Sequence, residues 1–333
     1  MPPRLMAIAL VLGIVVTACG DDSTTDVADS EPETVTDPEP TTEPAPSTTS
    51  TDPAPADEET SSESDPADGA EPEPEPEPAL TLTFDRLPEL GPGAVYEGWL
   101  IIDSAPFSTG VVGAEATALP TGWEGATAFV LTIEPADDPD PAPSDTHLLA
   151  GDIVDGRADL TTDHPAALGT DFADAAGGYI LATPTDGTGP AENERSGIWW
   201  TDIPRAQSLF LPTLTAGWVY ESWAVIDGVP VTGGTFTDPF AADDAAPFSG
   251  PEPGPPLVGE DYLVNAPDGL TFPRDLRSQV AVISVEPVPD DSPAPFAIKP
   301  LIGGIPADAE DHVVYDQLNA AADSLPTGLA VVG

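Results

Sequence analysis

The chain has 333 residues and carries 8 Lys+Arg against 59 Asp+Glu, a formal net charge of −51, with 43 Pro and 30 Gly. So acidic a surface repels phosphate backbones and anionic lipid headgroups, which excludes nucleic acid as a direct partner. A single cysteine, Cys19, excludes an intrachain disulfide and a paired-thiol zinc site, while the length allows one large or two modest domains.

Met1 to Arg4 is a short basic start, and Leu5 to Val16 is an apolar run. That run is shorter than the roughly 20 residues a membrane-spanning helix needs. Val16-Thr17-Ala18-Cys19 closes it with small residues ahead of the lone cysteine. Residues 1–18 therefore resemble a bacterial lipoprotein signal peptide with its lipobox, and the resemblance implies that Cys19 becomes the lipidated first residue of the mature protein. Ordinary secretion with Cys19 incidental is the rival reading. Each buried acyl methylene contributes about 0.8 kcal/mol, so several chains on one residue hold stably. The expectation is a protein attached to the membrane through Cys19 and lying outside the cytoplasm, in the periplasm or at the cell surface.

Residues 19–79 form an acidic Pro-rich stretch without Lys, Arg, His or aromatics, ending in Glu71-Pro72-Glu73-Pro74-Glu75-Pro76-Glu77-Pro78. Too little apolar surface is present to offset ordering entropy, so a disordered tether is predicted. In polyproline geometry about 60 residues at about 3.1 Å each reach on the order of 190 Å at most.

At Leu80 the composition changes. Leu80-Thr81-Leu82-Thr83-Phe84 alternates as a half-buried strand does. Val95 to Gly110, VYEGWLIIDSAPFSTG, then returns at Val219 to Gly234 as VYESWAVIDGVPVTGG, an offset of 124 residues. In the first occurrence Tyr96, Leu100 and Ile102 share one face while Val95, Glu97, Trp99 and Ile101 share the other, which predicts a central strand covered on both sides. Ser104 to Pro106 and Gly228 to Pro230 supply turn chemistry, and Phe107 to Val112 reads as the returning hairpin strand.

Ala126 to Glu134 and Gln279 to Glu286 are the next matching strands, each running into Glu-Pro and an acidic proline loop. The offset has now risen from 124 to 152, which places a 28-residue insertion between Gly234 and Gln279, with Phe240, Phe248, Tyr262 and Phe272 to anchor it. Pro165 to Ala175 and Val313 to Asp323 are alanine-rich and read as one short helix each. Gly178 to Thr183 and Gly328 to Val332 are closing strands, and Pro184 to Ser196 is a hairpin tip returning through Gly197 to Trp200. The fold predicted is mainly all-β, with two tandem sandwich-like units at 80–190 and 191–333.

The pieces YEGWLIID…PFSTG…AFVLTIEP and YESWAVID…PVTGG…VAVISVEP resemble the extracytoplasmic carboxy-terminal domain of the anti-sigma-K factor family. The resemblance implies a β module that receives a signal outside the cell. Family members join that module, through a spanning helix, to a cytoplasmic domain that grips a sigma factor. With a lipoprotein leader in place of that plan, direct contact with a sigma factor is not expected.

Glu97 and Glu221 each share a strand face with a tryptophan, so each must be hydrogen-bonded, paired or functional. Tyr96, Glu97, Trp99, Tyr220, Glu221 and Trp223 are therefore candidates for ligand binding or for framework roles. Paired acids of a glycosidase are the sharp alternative, and recurrence of the glutamate in both units favours anchoring. Asp137, Asp138 and Asp140 offer oxygens to calcium, but their spacing departs from the EF-hand loop and a solvated turn is favoured. His147, His164 and His312 form no ligand-spaced cluster, and neither a catalytic motif nor a cofactor is indicated. The reading is a non-catalytic envelope lipoprotein that presents two such modules to an envelope protein or glycan. An adhesive surface lipoprotein is the first alternative, and a carboxylate-dependent hydrolase the second.

Overall fold

The computed structural model describes residues 79–113, 119, 122–188, 193–202, 208–290 and 292–332. The leader at 1–18, Cys19 and the tether up to residue 78 lie outside them. All described strands belong to one unit, Pro72–Gly333.

Hairpins dominate because the turn residues demand them. β2 (Ala94–Ile102) passes into β3 (Ala105–Val111) through Asp103 and Ser104, both at positive φ (50° and 66°). Two successive left-handed residues make the turn whose twist matches antiparallel strands. β9 (Trp218–Ile226) and β10 (Val229–Phe236) repeat it through Asp227 and Gly228, at 51° and 85°. Adding β4 (Ala126–Pro135) and β5 (His147–Asp152) gives a sheet of order β3-β2-β4-β5. Adding β12 (Val280–Pro287), β13 (Leu301–Gly304) and β15 (Leu318–Asn319) gives the order β10-β9-β12-β13-β15. The recurring Tyr-Glu-x-Trp strands β2 and β9 thus hold the same place beside their hairpin partner, with the following strand on their other edge. Both faces of β2 are covered, as its apolar pattern requires. Leu100 and Ile102 join the main core, and Trp99 packs with Val130, Ala150 and Ala167.

Two further sheets draw strands from both sides of residue 190. β1 (Leu80–Asp85) pairs along its whole length with β16 (Thr327–Val332), which pairs in turn with β6 (Arg157–Leu160). β7 (Gly178–Leu181) is flanked by β8 (Gly197–Trp199) and β14 (Tyr315–Asp316), with β11 (Gly259–Asp261) on the far side of β8. One apolar core runs through strands of both halves, from Leu100 and Phe129 to Ile283 and Val332. All strand pairs are antiparallel.

Helix is nearly absent among the described residues, and the two short helices expected are corrected accordingly. Residues 165–175 form turns, because Thr170 Oγ1 and Asp171 Oδ1 accept the N–H groups of Phe172 (3.0 Å) and Ala173 (2.9 Å) and so compete with a helical ladder. In 313–323 Gln317 is drawn into the core, where its amide accepts from Trp200 Nε1 (2.8 Å) and donates to the Ala281 carbonyl (3.1 Å). Only α1 (Ala321–Ser324), one turn long, survives at its end. The inserted segment packs through Phe248, Tyr262 and Phe272, whose rings meet at 5.6–5.9 Å. Phe240, expected to be a fourth anchor, instead stands 66% exposed. Among the described residues no helix is long and apolar enough to cross a membrane.

The two large sheets meet at Gly217. A Cβ there would lie 2.5 Å from the Asp145 carbonyl and 2.7 Å from Thr146 N, on a backbone with φ +82°. Thr146 Oγ1 approaches the Gly217 carbonyl, and Trp218 Nε1 donates to the His147 carbonyl (3.2 Å). Gly217→Ala is expected to cost about 1–3 kcal/mol from backbone overlap, in addition to the left-handed penalty. Gly228→Ala, at φ +85° with open space around it, should cost only the left-handed penalty of about 1–2 kcal/mol. Urea midpoints followed by tryptophan fluorescence separate the two.

Candidate functional site

The candidate residues on β2 and β9 take part in one hydrogen-bonded arrangement that occurs twice. The register of β2 against β4 sets Glu97 opposite Thr132, and that of β9 against β12 sets Glu221 opposite Ser284. Side chains two residues apart on one strand share a face, so Glu134 and Glu286 lie diagonally across from Glu97 and Glu221. In the first sheet Trp99 Nε1 donates to Thr132 Oγ1 (2.9 Å), whose hydroxyl donates to Glu134. Both oxygens of Glu134 accept the Ser144 N–H, at 3.0 and 3.1 Å. In the second, Trp223 Nε1 donates to Ser284 Oγ (2.8 Å), Ser284 donates to Glu286, and the Phe296 N–H reaches both Glu286 oxygens at 2.9 and 3.1 Å. Each chain of bonds ties a central strand to the acidic proline loop after its neighbour.

The tyrosines brace the other end. Tyr96 Oη donates to the Pro88 carbonyl (2.8 Å) and Tyr220 Oη to that of Pro212 (2.7 Å), fixing the segment that enters each strand. Glu97 and Glu221 accept from hydroxyls on the returning hairpin strand, Ser108 and Thr232. Those hydroxyls accept the N–H of Gly110 (3.0 Å) and Gly234 (2.9 Å) at the bulge.

The two copies differ in what surrounds their carboxylates. Glu97 is half-buried, whereas Glu221 is 6% exposed and Glu286 fully buried. Glu134 is buried as Glu286 is, and beside Glu221 the inserted segment folds onto β10 through Asp244, whose carboxylate accepts Thr235 N (2.8 Å) and Oγ1 (2.9 Å). In this second copy Glu221, Glu286 and the exposed Asp290 bring one oxygen each within 4.8 Å of one another. Burial pushes Glu221 up to about 7, against the Thr232 hydrogen bond, with the charges of Asp290 and Asp244 adding to it. Glu286 is likewise pushed up to about 7 by burial, with Ser284 and Phe296 opposing and Asp290 and Glu221 adding. Lys299, the single lysine of the chain, donates to the Phe296 carbonyl (2.7 Å); burial lowers it and the charge of Glu286 partly restores it.

Of the residues singled out from sequence, the structure thus joins Trp99 and Trp223 to the glutamates of Glu134-Pro135 and Glu286-Pro287, which were read only as strand ends. Their signal was present: a hydroxyl residue two positions before each, Thr132 and Ser284, on the face that carries the tryptophan. Asp137, Asp138 and Asp140 lie in an exposed turn, where Asp138 and Asp140 cap the N–H groups of Asp140 (2.8 Å) and Ala142 (3.0 Å). Glu97 and Glu221 stand in different sheets and do not face one another. Glu286, within 4.8 Å of Glu221, is fully buried.

The family described as Anti-sigma-K factor rskA, C-terminal, matches residues 5–147, which is 143 of 333 residues. The chain carries an anti-sigma-factor-like carboxy-terminal domain there, and the match stops at the first residue of β5, short of the second set of strands. No curated protein and no solved structure matches.

Raised carboxylates make stability depend on pH. A native state that holds protons the unfolded chain would release is favoured as pH falls, so stability decreases as pH rises from about 4.5 to about 7. The melting temperature is expected to be higher at pH 5 than at pH 7.5. Glu221→Gln combined with Glu286→Gln should flatten that slope without abolishing it, because Asp243 and Glu260, also near 7, remain. Differential scanning calorimetry across this range measures both.

Proposed function

We propose that this chain is a non-catalytic lipoprotein of the bacterial cell envelope, held by an acylated Cys19, whose anti-sigma-type β modules bind a partner or sense a signal outside the cytoplasm. The observation that carries this reading is the family match over residues 5–147, in a chain whose one cysteine directly follows an apolar leader. The second set of strands is a second such module, related by duplication. What supports the duplication is the recurrence of the whole Trp–hydroxyl–Glu–backbone chain, tyrosine brace and bulge included.

A binding role also suits the chemistry of the recurring residues. Their polar atoms are occupied by the framework in both copies, so the strands act as a rigid base and contact falls to the loops around them. The partner is an envelope protein or glycan, and the acidic stretch 19–79 sets the modules away from the lipid surface.

Mass spectrometry of the mature protein is expected to find an acylated Cys19 at its amino terminus. Cys19→Ala should move the protein from the membrane fraction to the soluble one. An unmodified Cys19 in the mature chain would falsify the anchor.

A further inference from the structure

Where the inserted segment meets the 170–175 loop lies a cleft of about 370 Å³. Its walls are the 170–175 loop, the Leu209–Pro212 segment and Pro239-Phe240. Phe210 and Phe240 stand at its mouth with 62% and 66% of their surface exposed. Displaying two large aromatic rings to water costs apolar transfer free energy, and contiguous exposed apolar surface marks sites of interaction.

The cleft is held open in a defined shape. Phe210 exchanges both backbone hydrogen bonds with Ala176, at 2.8 and 3.0 Å. Asp238 Oδ1 accepts the Phe240 N–H at 2.9 Å, which fixes the turn that carries this ring. Asn319 Nδ2 reaches the carbonyls of Phe172, Ala173 and Ala175 at 2.9–3.1 Å and pins the opposite wall. Phe172 itself is buried at φ 55°, an uncommon backbone state for a large side chain that this wall retains. Rings on so constrained a backbone lose little entropy on contact.

Charge selects the occupant. Asp171 and Asp174 are exposed on the 170–175 loop, and no cation is among the described residues that line the cleft. A second copy of the chain, at −51, is repelled, as is the acidic stretch 19–79, which also has no aromatics to insert. We infer that this cleft docks an apolar, Lys- or Arg-bearing segment of a partner protein, its apolar side chains between Phe210 and Phe240 and its cations on Asp171 and Asp174. This names the partner chemistry of the binding role proposed above and rests on that reading.

The test uses the full chain in phosphatidylcholine nanodiscs and two labelled synthetic peptides, one alternating leucine with lysine and one of lysine alone, followed by fluorescence anisotropy. The mixed peptide should bind more tightly than oligolysine. Phe210→Ser with Phe240→Ser should weaken it about tenfold, in line with loss of exposed aromatic anchors. Asp171→Asn with Asp174→Asn should weaken it and reduce its salt dependence. Both ring positions are exposed, so the fold should persist. If the aromatic pair nevertheless lost its melting transition, the Asp pair and the oligolysine comparison would decide. Equal affinity for oligolysine, or no change in either pair of variants, overturns the cleft in favour of diffuse attraction to an acidic surface. Capture of an envelope partner by wild type and by the aromatic variant alike would overturn the cleft yet leave the binding role standing, whereas an unmodified Cys19 would remove the anchor without altering this equilibrium.

Discussion

A tryptophan inside a sheet must find an acceptor for its one N–H, and the way it does so here organises the rest of the molecule. Trp99 and Trp223 each donate to a hydroxyl on the neighbouring strand, which hands the bond on to a buried glutamate, which closes on the backbone of the loop beyond. Each member is satisfied by the next, so the chain is tolerated where a bare carboxylate would not be. Because it crosses from a central strand to its partner and then to a loop, it fixes register and loop position together. A one-residue slip would turn every member to the wrong face.

The second copy shows what happens when such a framework is crowded. Additional chain folds onto β10, Glu221 is nearly buried, and Asp290 comes within 4.8 Å of Glu221 and Glu286. Burial and mutual repulsion then favour the protonated forms. With 59 acids against 8 bases the chain has few cations to offset such charges. The first copy keeps Glu97 half-open.

Two of the four sheets among the described residues join strands distant in sequence. β1 near the start of the described region pairs with β16 at its end, and β6 closes the sheet from the middle. Strands this short gain stability only when several share a face, and neither terminal strand has a local partner to hairpin with. The outcome is one core in which the two similar sheets are joined at Gly217 and His147 while their ends are held by strands distant in sequence. Around this base the loops differ, and the cleft beside Phe210 and Phe240 is built from the 170–175 loop, the inserted Pro239-Phe240 and the Leu209–Pro212 segment that Tyr220 braces.

Local chemistry alone carried much of this. Alternation gave β1, and apolar runs gave β4 and β12 to within a residue. Turn residues at Ser104 to Pro106 and Gly228 to Pro230 gave both hairpins, although the turns themselves lie slightly earlier, at Asp103-Ser104 and Asp227-Gly228, and recurrence of Tyr-Glu-x-Trp placed β2 and β9 in equivalent surroundings. The resemblance of the first copy to anti-sigma-K outer domains was also legible, because a strand with both faces apolar and a fixed Glu-Pro ending is written in consecutive residues. The alanine-rich segments misled, since turn bonds at Thr170 and Asp171 and the burial of Gln317 outweigh alanine's helix propensity. The joining of Glu221, Glu286 and Asp290, the pairing of β1 with β16 and the display of Phe210 and Phe240 were decided by tertiary structure. Each depends on residues tens to hundreds of positions apart, and no local period records which distant strands or loops will meet.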